Sequence, residues 1–190
     1  MDKSDKSVYD SPTTISDIKR HILTILVDNE PGVLARVIGM ISGRGYNIDS
    51  LNVAEVNKEH LSRITIVTQG TNEVIEQIQS QLMRIVPVHD VINLQDEGSS
   101  VEAEVALVNM YINEENKKQA YQICDFYRAR KIENEHNSTI FEIAGASDRI
   151  DTFIKDISKI VEIEIVRSGP VAISSVNKSE EEWWEFITIG

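Results

Sequence analysis

The order strand, helix, strand, strand, helix, strand, written in the spacing of apolar residues over 20–95 and again over 101–176, restricts this chain more than any other feature of its 190 residues. "HILTILV" (21–27) is apolar on both faces, as a central strand covered on both sides requires. After it Leu34, Val37, Ile38 and Ile41 recur at helical spacing, with Pro31 near the start and Gly43 and Gly45 at the end. A strand is expected from about Asn47 to Val56, then a turn over Asn57–His60. "RITIVTQ" follows, in which Ile64 and Ile66 alternate with polar neighbours. Thr71 is placed to cap a second helix presenting Ile75, Ile78, Leu82 and Ile85, and Pro87 fits only at the beginning of the last strand, "VHDVINL" (88–94).

"QDEGSS" (95–100) has no apolar residue, so 96–100 reads as a linker between a unit over 20–95 and a second over 101–176. In that second unit "VEAEVALVNMYI" is a strand, and Ala120, Ile123, Cys124 and Tyr127 fall at helical spacing. "KIENEHN" and "STIFEIAGA" form a hairpin with its break near Asn137 and Ser138. Ser147 is expected to cap a helix presenting Ile150, Phe153, Ile154 and Ile157, and "VEIEIVRSG" closes the unit. The repeat lies in the elements, not in residue identity. The fold class is therefore α+β: two split-βαβ, ferredoxin-like sandwiches, each a four-stranded antiparallel sheet with two helices on one face. Because 21–27 is apolar on both sides, the open face or a sheet edge is expected to be covered by a second copy or another subunit. Residues 1–19 read as a polar extension. Residues 177–190 are an acidic tail holding Trp183 and Trp184, which either folds back on its own domain or docks on a partner.

The chain has 19 basic and 31 acidic residues and a net charge of −12, which repels phosphate backbones. Nucleic-acid binding is thereby disfavoured, although the same element order occurs in RNA-recognition modules. Those stack bases on sheet aromatics, and neither "HILTILV" nor "RITIVTQ" has one. No apolar run is long enough to span a membrane, and "MDKSDKSVYDSPTTISD" lacks the apolar core of a signal peptide, so a cytoplasmic protein is expected. The single cysteine, Cys124, lies on an apolar helical stripe as a packed thiol does.

Catalytic spacing is absent. The sequence has no GxSxG, HExxH, P-loop or zinc-ligand pattern, and His21, His60, His89 and His136 are scattered, each read as a surface or partly buried side chain. A binding site is the better reading, at "LVDNEPGVLARVIGMISGRGYNIDSL" (26–51). A helix start leaves N–H groups without partners and carries partial positive charge, which suits a carboxylate. Pro31 fixes the chain direction, Gly32 lets an anion approach the N–H groups of Gly32, Val33 and Leu34, and Asn29 offers both a donor and an acceptor. The competing reading is structural: Asn29 as a helix cap and Asn47 as a turn residue.

"LVDNEPGVLARVIGMISGRGYNIDSLNVAE" followed by "LSRITIVTQG", then "VIEQIQSQLMRIVPVHDV" and the closing "IVEIEIVRSGPVAIS", resembles the ACT-domain family of small regulatory subunits of acetohydroxyacid synthase (acetolactate synthase). The resemblance implies an N-terminal ACT domain, a C-terminal ferredoxin-like domain and a homodimer formed through the ACT domains. It implies a noncatalytic regulatory subunit of a transferase in branched-chain amino acid biosynthesis. Thiamine diphosphate, FAD and magnesium would then belong to the catalytic large subunit and not to this chain. Valine would be the effector, shared between two chains: Asn29, Pro31, Gly32 and the amides of Val33 and Leu34 from one, Asn47 and Ile48 from the other. Pro170 stands where the closing segment more usually carries an aliphatic residue, and it is expected to restrict strand pairing. A standalone amino-acid sensor with another target is the rival within the same fold.

Overall fold

The computed structural model describes residues 18–56, 60–96, 100–135 and 138–175. The extension to residue 17, the tail from 176, most of the 57–60 turn and Asn137 lie outside the described residues, as do 97–99 of the expected linker. The first unit runs β1 (Lys19–Asp28), α1 (Val33–Ser42), β2 (Ser50–Glu55), β3 (Leu61–Gly70), α2 (Asn72–Leu82) and β4 (Val88–Asn93), with the antiparallel sheet in the order β2-β3-β1-β4. β1 is central, with β3 and β4 on its two sides, which explains why its sequence is apolar on both faces. Leu23, Ile25 and Val27 pack under α1 and α2 with Ile64, Ile66, Val37, Ile41, Ile75, Ile78 and Leu82. Each such buried side chain contributes about 2 kcal/mol.

The second unit repeats this order: β5 (Ser100–Tyr111), α3 (Lys117–Phe126), β6 (Arg130–Glu135), β7 (Ser138–Gly145), α4 (Ser147–Ile157) and β8 (Glu162–Arg167), arranged β6-β7-β5-β8. Phe153 lies fully buried with its ring edge-on to Tyr127, centroids 5.4 Å apart. Arg167 of β8 holds the buried Glu104 of β5 and Asp151 of α4 together, tying the helix to the sheet.

Several sequence expectations need correction. β2 begins at Ser50, so Asn47 precedes the strand instead of starting it. Val33, not Leu34, is the first buried residue of α1; Leu34 is half-buried at the side. Thr71 does cap α2, its hydroxyl accepting from Val74 N–H, but Ile85 lies past the helix end. Ser147 does not cap α4: it is the first helical residue, because Ala146 is already extended at φ −62°, ψ 149° and holds the capping position without a side-chain bond. Ser100, assigned to the linker, is the first residue of β5.

The largest difference lies after β8. The chain turns at Gly169 (φ +73°) and forms a ninth strand, β9 (Val171–Ser174), antiparallel to Ser100–Ala103 of β5. Pro170 precedes that strand and leaves its pairing intact. Ala172 of β9 packs with Ile22, Val67, Ile92 and Leu94 on the open face of the first sheet. The chain's own C-terminal strand therefore covers part of the face for which an external partner was expected.

Candidate functional site

The segment between β1 and α1 lacks the side-chain cap that a purely structural helix start would use. The capping position of α1 is Gly32, left-handed at φ +88° and without a side-chain cap. Asn29 therefore does not cap the helix. Its backbone N–H donates to His60 O at 2.6 Å, while its exposed side chain has no hydrogen-bond partner among the described residues. A Cβ built on Gly32 would meet nothing within 4 Å, so open space lies beside the helix start. The N–H of Val33 reaches Glu30 O only at 3.4 Å, and that of Leu34 finds no backbone acceptor outside the helix among the described residues. The side chain of Val33 is buried in the core and Leu34 packs against it, so at Val33 only the amide is available. Pro31 is exposed on the same loop.

Sequence reasoning missed the braces of this loop. Arg36, one turn into α1, holds Glu30 and donates to Val86 O, while His89 of β4 meets Asp28 at 2.6 Å. These contacts join residues up to 61 apart in sequence, so no local signal announces them.

Asn47 and Ile48 lie at the other end of α1. Asn47 Nδ2 donates to Asp49 Oδ1 at 2.6 Å, and Gln69 Nε2 donates to Asp49 Oδ2 at 2.9 Å. The Asn47 carbonyl accepts from the buried Thr68 hydroxyl at 2.6 Å. Ile48 is half-buried against the core. Asn47 thus does have the turn role that the structural reading gave it, and Thr68 and Asp49 hold it in place. The ten residues of α1 make a helix of about 15 Å at 1.5 Å rise per residue, with the Gly32 half of the expected site at its start and the Asn47 half past its end.

Beyond Asn47 the next residues are held by the second unit. A Cβ on Gly169 would fall 1.9 Å from Ser50 Oγ, and Asn52 Nδ2 donates to Pro170 O at 3.0 Å. The start of β2 is thus clamped by the turn that leads into β9.

The remaining reactive groups give no second centre. His21 is buried opposite Thr68 in β1, against the expectation of a surface or partly buried histidine. Cys124 is buried with its Sγ 3.9 Å from Met110 Sδ, and burial, with Asp125 nearby, pushes its thiol up to about 12. A thiol reagent at pH 8 should leave the native chain unlabelled and modify its one cysteine in denaturant; fast native labelling would contradict this packing. Among the described residues no helix is long and apolar enough to cross a membrane, and no cluster of three or more His, Cys, Asp or Glu could hold a metal ion.

Known proteins match both units. The profile of the AHAS small subunit-like ACT domain matches residues 23–93, and that of the small subunit of acetolactate synthase matches 103–176. The acetolactate synthase isozyme 3 small subunit of Escherichia coli is 40% identical over 162 residues, spanning 84% of this chain and 98% of that protein. A probable acetolactate synthase small subunit of Archaeoglobus fulgidus is 35% identical over 159 residues, 84% of this chain and 99% of that one. The crystal structure of the acetolactate synthase small subunit from Thermotoga maritima aligns with a TM-score of 0.74 at 34% identity, covering 84% of this chain and 99% of that structure.

Proposed function

The chain belongs to the family of acetolactate synthase small subunits, regulatory partners of a catalytic subunit, and on that premise we propose that it binds valine between two copies of its first unit and transmits feedback inhibition to that catalytic subunit. The effector carboxylate would meet the amides of Gly32, Val33 and Leu34, where the helix start supplies partial positive charge. The Asn29 amide would hold the same backbone ends from one chain, and Asn47 from the other. The branched side chain would rest between Leu34 and the partner's Ile48, both half-buried apolar residues here. Pro31 fixes the loop so that the amides face outward. The division into an ACT unit over 20–95 and a second unit over 101–176, and a place in the cytoplasm, belong to the same reading.

The observation that carries it is the uncommitted Asn29 side chain beside an open Gly32. Valine shifts the catalytic subunit only through a difference in its affinity for two dimer geometries; equal binding to both would shift nothing. With the bound subunit also raising catalytic activity, activation and inhibition become separable properties of one chain.

Mixing tests the shared site. Asn29→Ala and Asn47→Ala chains should each lose valine inhibition by about tenfold or more in half-inhibitory concentration, a loss of one or two hydrogen bonds to a charged ligand, while still activating the catalytic subunit. Co-refolded together, they form hybrid dimers in which one of the two sites has both asparagines intact. Partial recovery of valine binding, read by calorimetry, is expected in the mixture. A mixture no better than either variant alone would show that the two asparagines do not meet across the dimer.

A further inference from the structure

A groove between the two units stands open among the described residues, with a volume of about 310 Å³. One wall is Val101 and Ala103 of β5 with Val171 and Ile173 of β9, which strand pairing sets side by side. The other is Ala54, Arg63 and Thr65 on the open face of the first sheet, beside the patch on which Ala172 of β9 rests. Asn52 Nδ2, donating to Pro170 O at 3.0 Å, joins the two walls. Val101, Val171 and Ile173 are each more than half exposed although they adjoin one another. A concave, mainly apolar surface of this kind is characteristic of a binding site.

What selects the occupant is the place where the described chain stops. β9 ends at Ser174 and Ser175 is the last described residue, so the tail from 176 leaves directly from the groove's own wall. Seven residues, 176–182, separate Ser175 from Trp183. They reach about 26 Å when extended, at about 3.3 Å per residue, whereas Val171 and Ile173 lie about 7 Å apart, so one reversal brings Trp183 and Trp184 back over them. A segment tethered this closely presents its side chains at about millimolar effective concentration, from which a free partner must displace it. Composition agrees, because two adjacent tryptophans bring large apolar side chains to a groove at the low end of pocket volumes. Charge agrees as well: Arg63 is the one charged residue among those described in the lining, and Glu180, Glu181 and Glu182 immediately precede the tryptophans. The match to the small-subunit profile ends at residue 176, so the tail lies beyond the part shared with that family.

We propose that the chain's own tail occupies this groove: Trp183 and Trp184 rest on Val101, Val171 and Ile173, and the preceding glutamates face Arg63. The tail thereby joins the second unit to the part of the first sheet that β9 leaves open. The proposal does not depend on the regulatory reading of the chain.

The full-length chain carries its own probe, since Trp183 and Trp184 are its only tryptophans. Their emission should lie at shorter wavelength in the native chain than in denaturant, and acrylamide should quench them about threefold less efficiently. Val101→Asp combined with Ile173→Asp should restore the emission and quenching of the denatured chain while far-ultraviolet circular dichroism stays unchanged. Ala54→Glu, on the exposed opposite wall and outside β9, should do the same, and it decides the matter if the double variant does not fold. Native emission equal to that in denaturant would overturn the proposal. So would a short-wavelength emission that survives Ala54→Glu, which would seat the tail elsewhere. A shift that appears only as chain concentration is raised would make a second copy the source of the tail, and one that appears only on adding a catalytic subunit would make that subunit the tail's partner; either result overturns the proposal.

Discussion

Arg167→Met is expected to destabilise the folded chain by about 3 kcal/mol, read as a lowered midpoint in urea with an unchanged slope. Glu104 is 2% exposed at its side chain, and Arg167 is the cation that the structure places on it. Removing the guanidinium leaves a carboxylate in the core without its partner and frees Asp151 of α4 from the sheet. The cost belongs to the unpaired charge and not to the ion pair as such, since desolvation offsets much of the attraction. Glu104→Leu combined with Arg167→Met should therefore be within about 1 kcal/mol of the unaltered chain. A double variant as unstable as Arg167→Met alone would show that the loss came from packing of the long arginine side chain.

Gly169→Ala is the second large effect, expected at about 3 kcal/mol. Two penalties coincide at this position. The backbone is left-handed at φ +73°, which disfavours any side chain, and the new methyl would lie 1.9 Å from Ser50 Oγ and 3.1 Å from Ser50 Cβ. Ser50→Gly removes both Ser50 atoms and leaves only Asn52 Nδ2, 3.2 Å from the new methyl, so in that background Gly169→Ala should cost only about 1 kcal/mol, mostly for the backbone. The urea midpoint of the four chains checks this as a double-mutant cycle. Equal effects of Gly169→Ala in both backgrounds would mean that the turn does not press on β2. Because Ser50 lies three residues past Asn47, the same substitution should also weaken the valine inhibition proposed above, an effect that a purely local strain would not produce.

Much of the fold was legible from spacing. β1 announced its central place through an unbroken apolar run, α2 through a threonine followed by Ile75, Ile78 and Leu82, and the second unit through the same order of elements. Legibility failed where one residue decides a boundary. Ala146, with no capping side chain, took the position expected for Ser147, because its extended backbone starts the helix one residue sooner. β9 was missed because "VAIS" is short and follows a proline, and its strand character comes from pairing with Ser100–Ala103, about seventy residues away. At the candidate site, Gly32 and the asparagines were readable as residue types at a helix start, whereas Arg36 on Val86 and Thr68 on Asn47 were not.

The sequence by itself determined the two α+β units, the apolar faces that build their cores, and an anion-compatible helix start at Gly32, since periodicity and backbone chemistry are local properties. Only the tertiary structure decided that Asn29 is uncommitted, that Thr68 and Asp49 hold Asn47, that β9 covers part of the first sheet, and that Gly169 has no room for a side chain beside Ser50. Those outcomes depend on contacts between residues far apart in the chain, whose energies appear only once the two units have closed on each other.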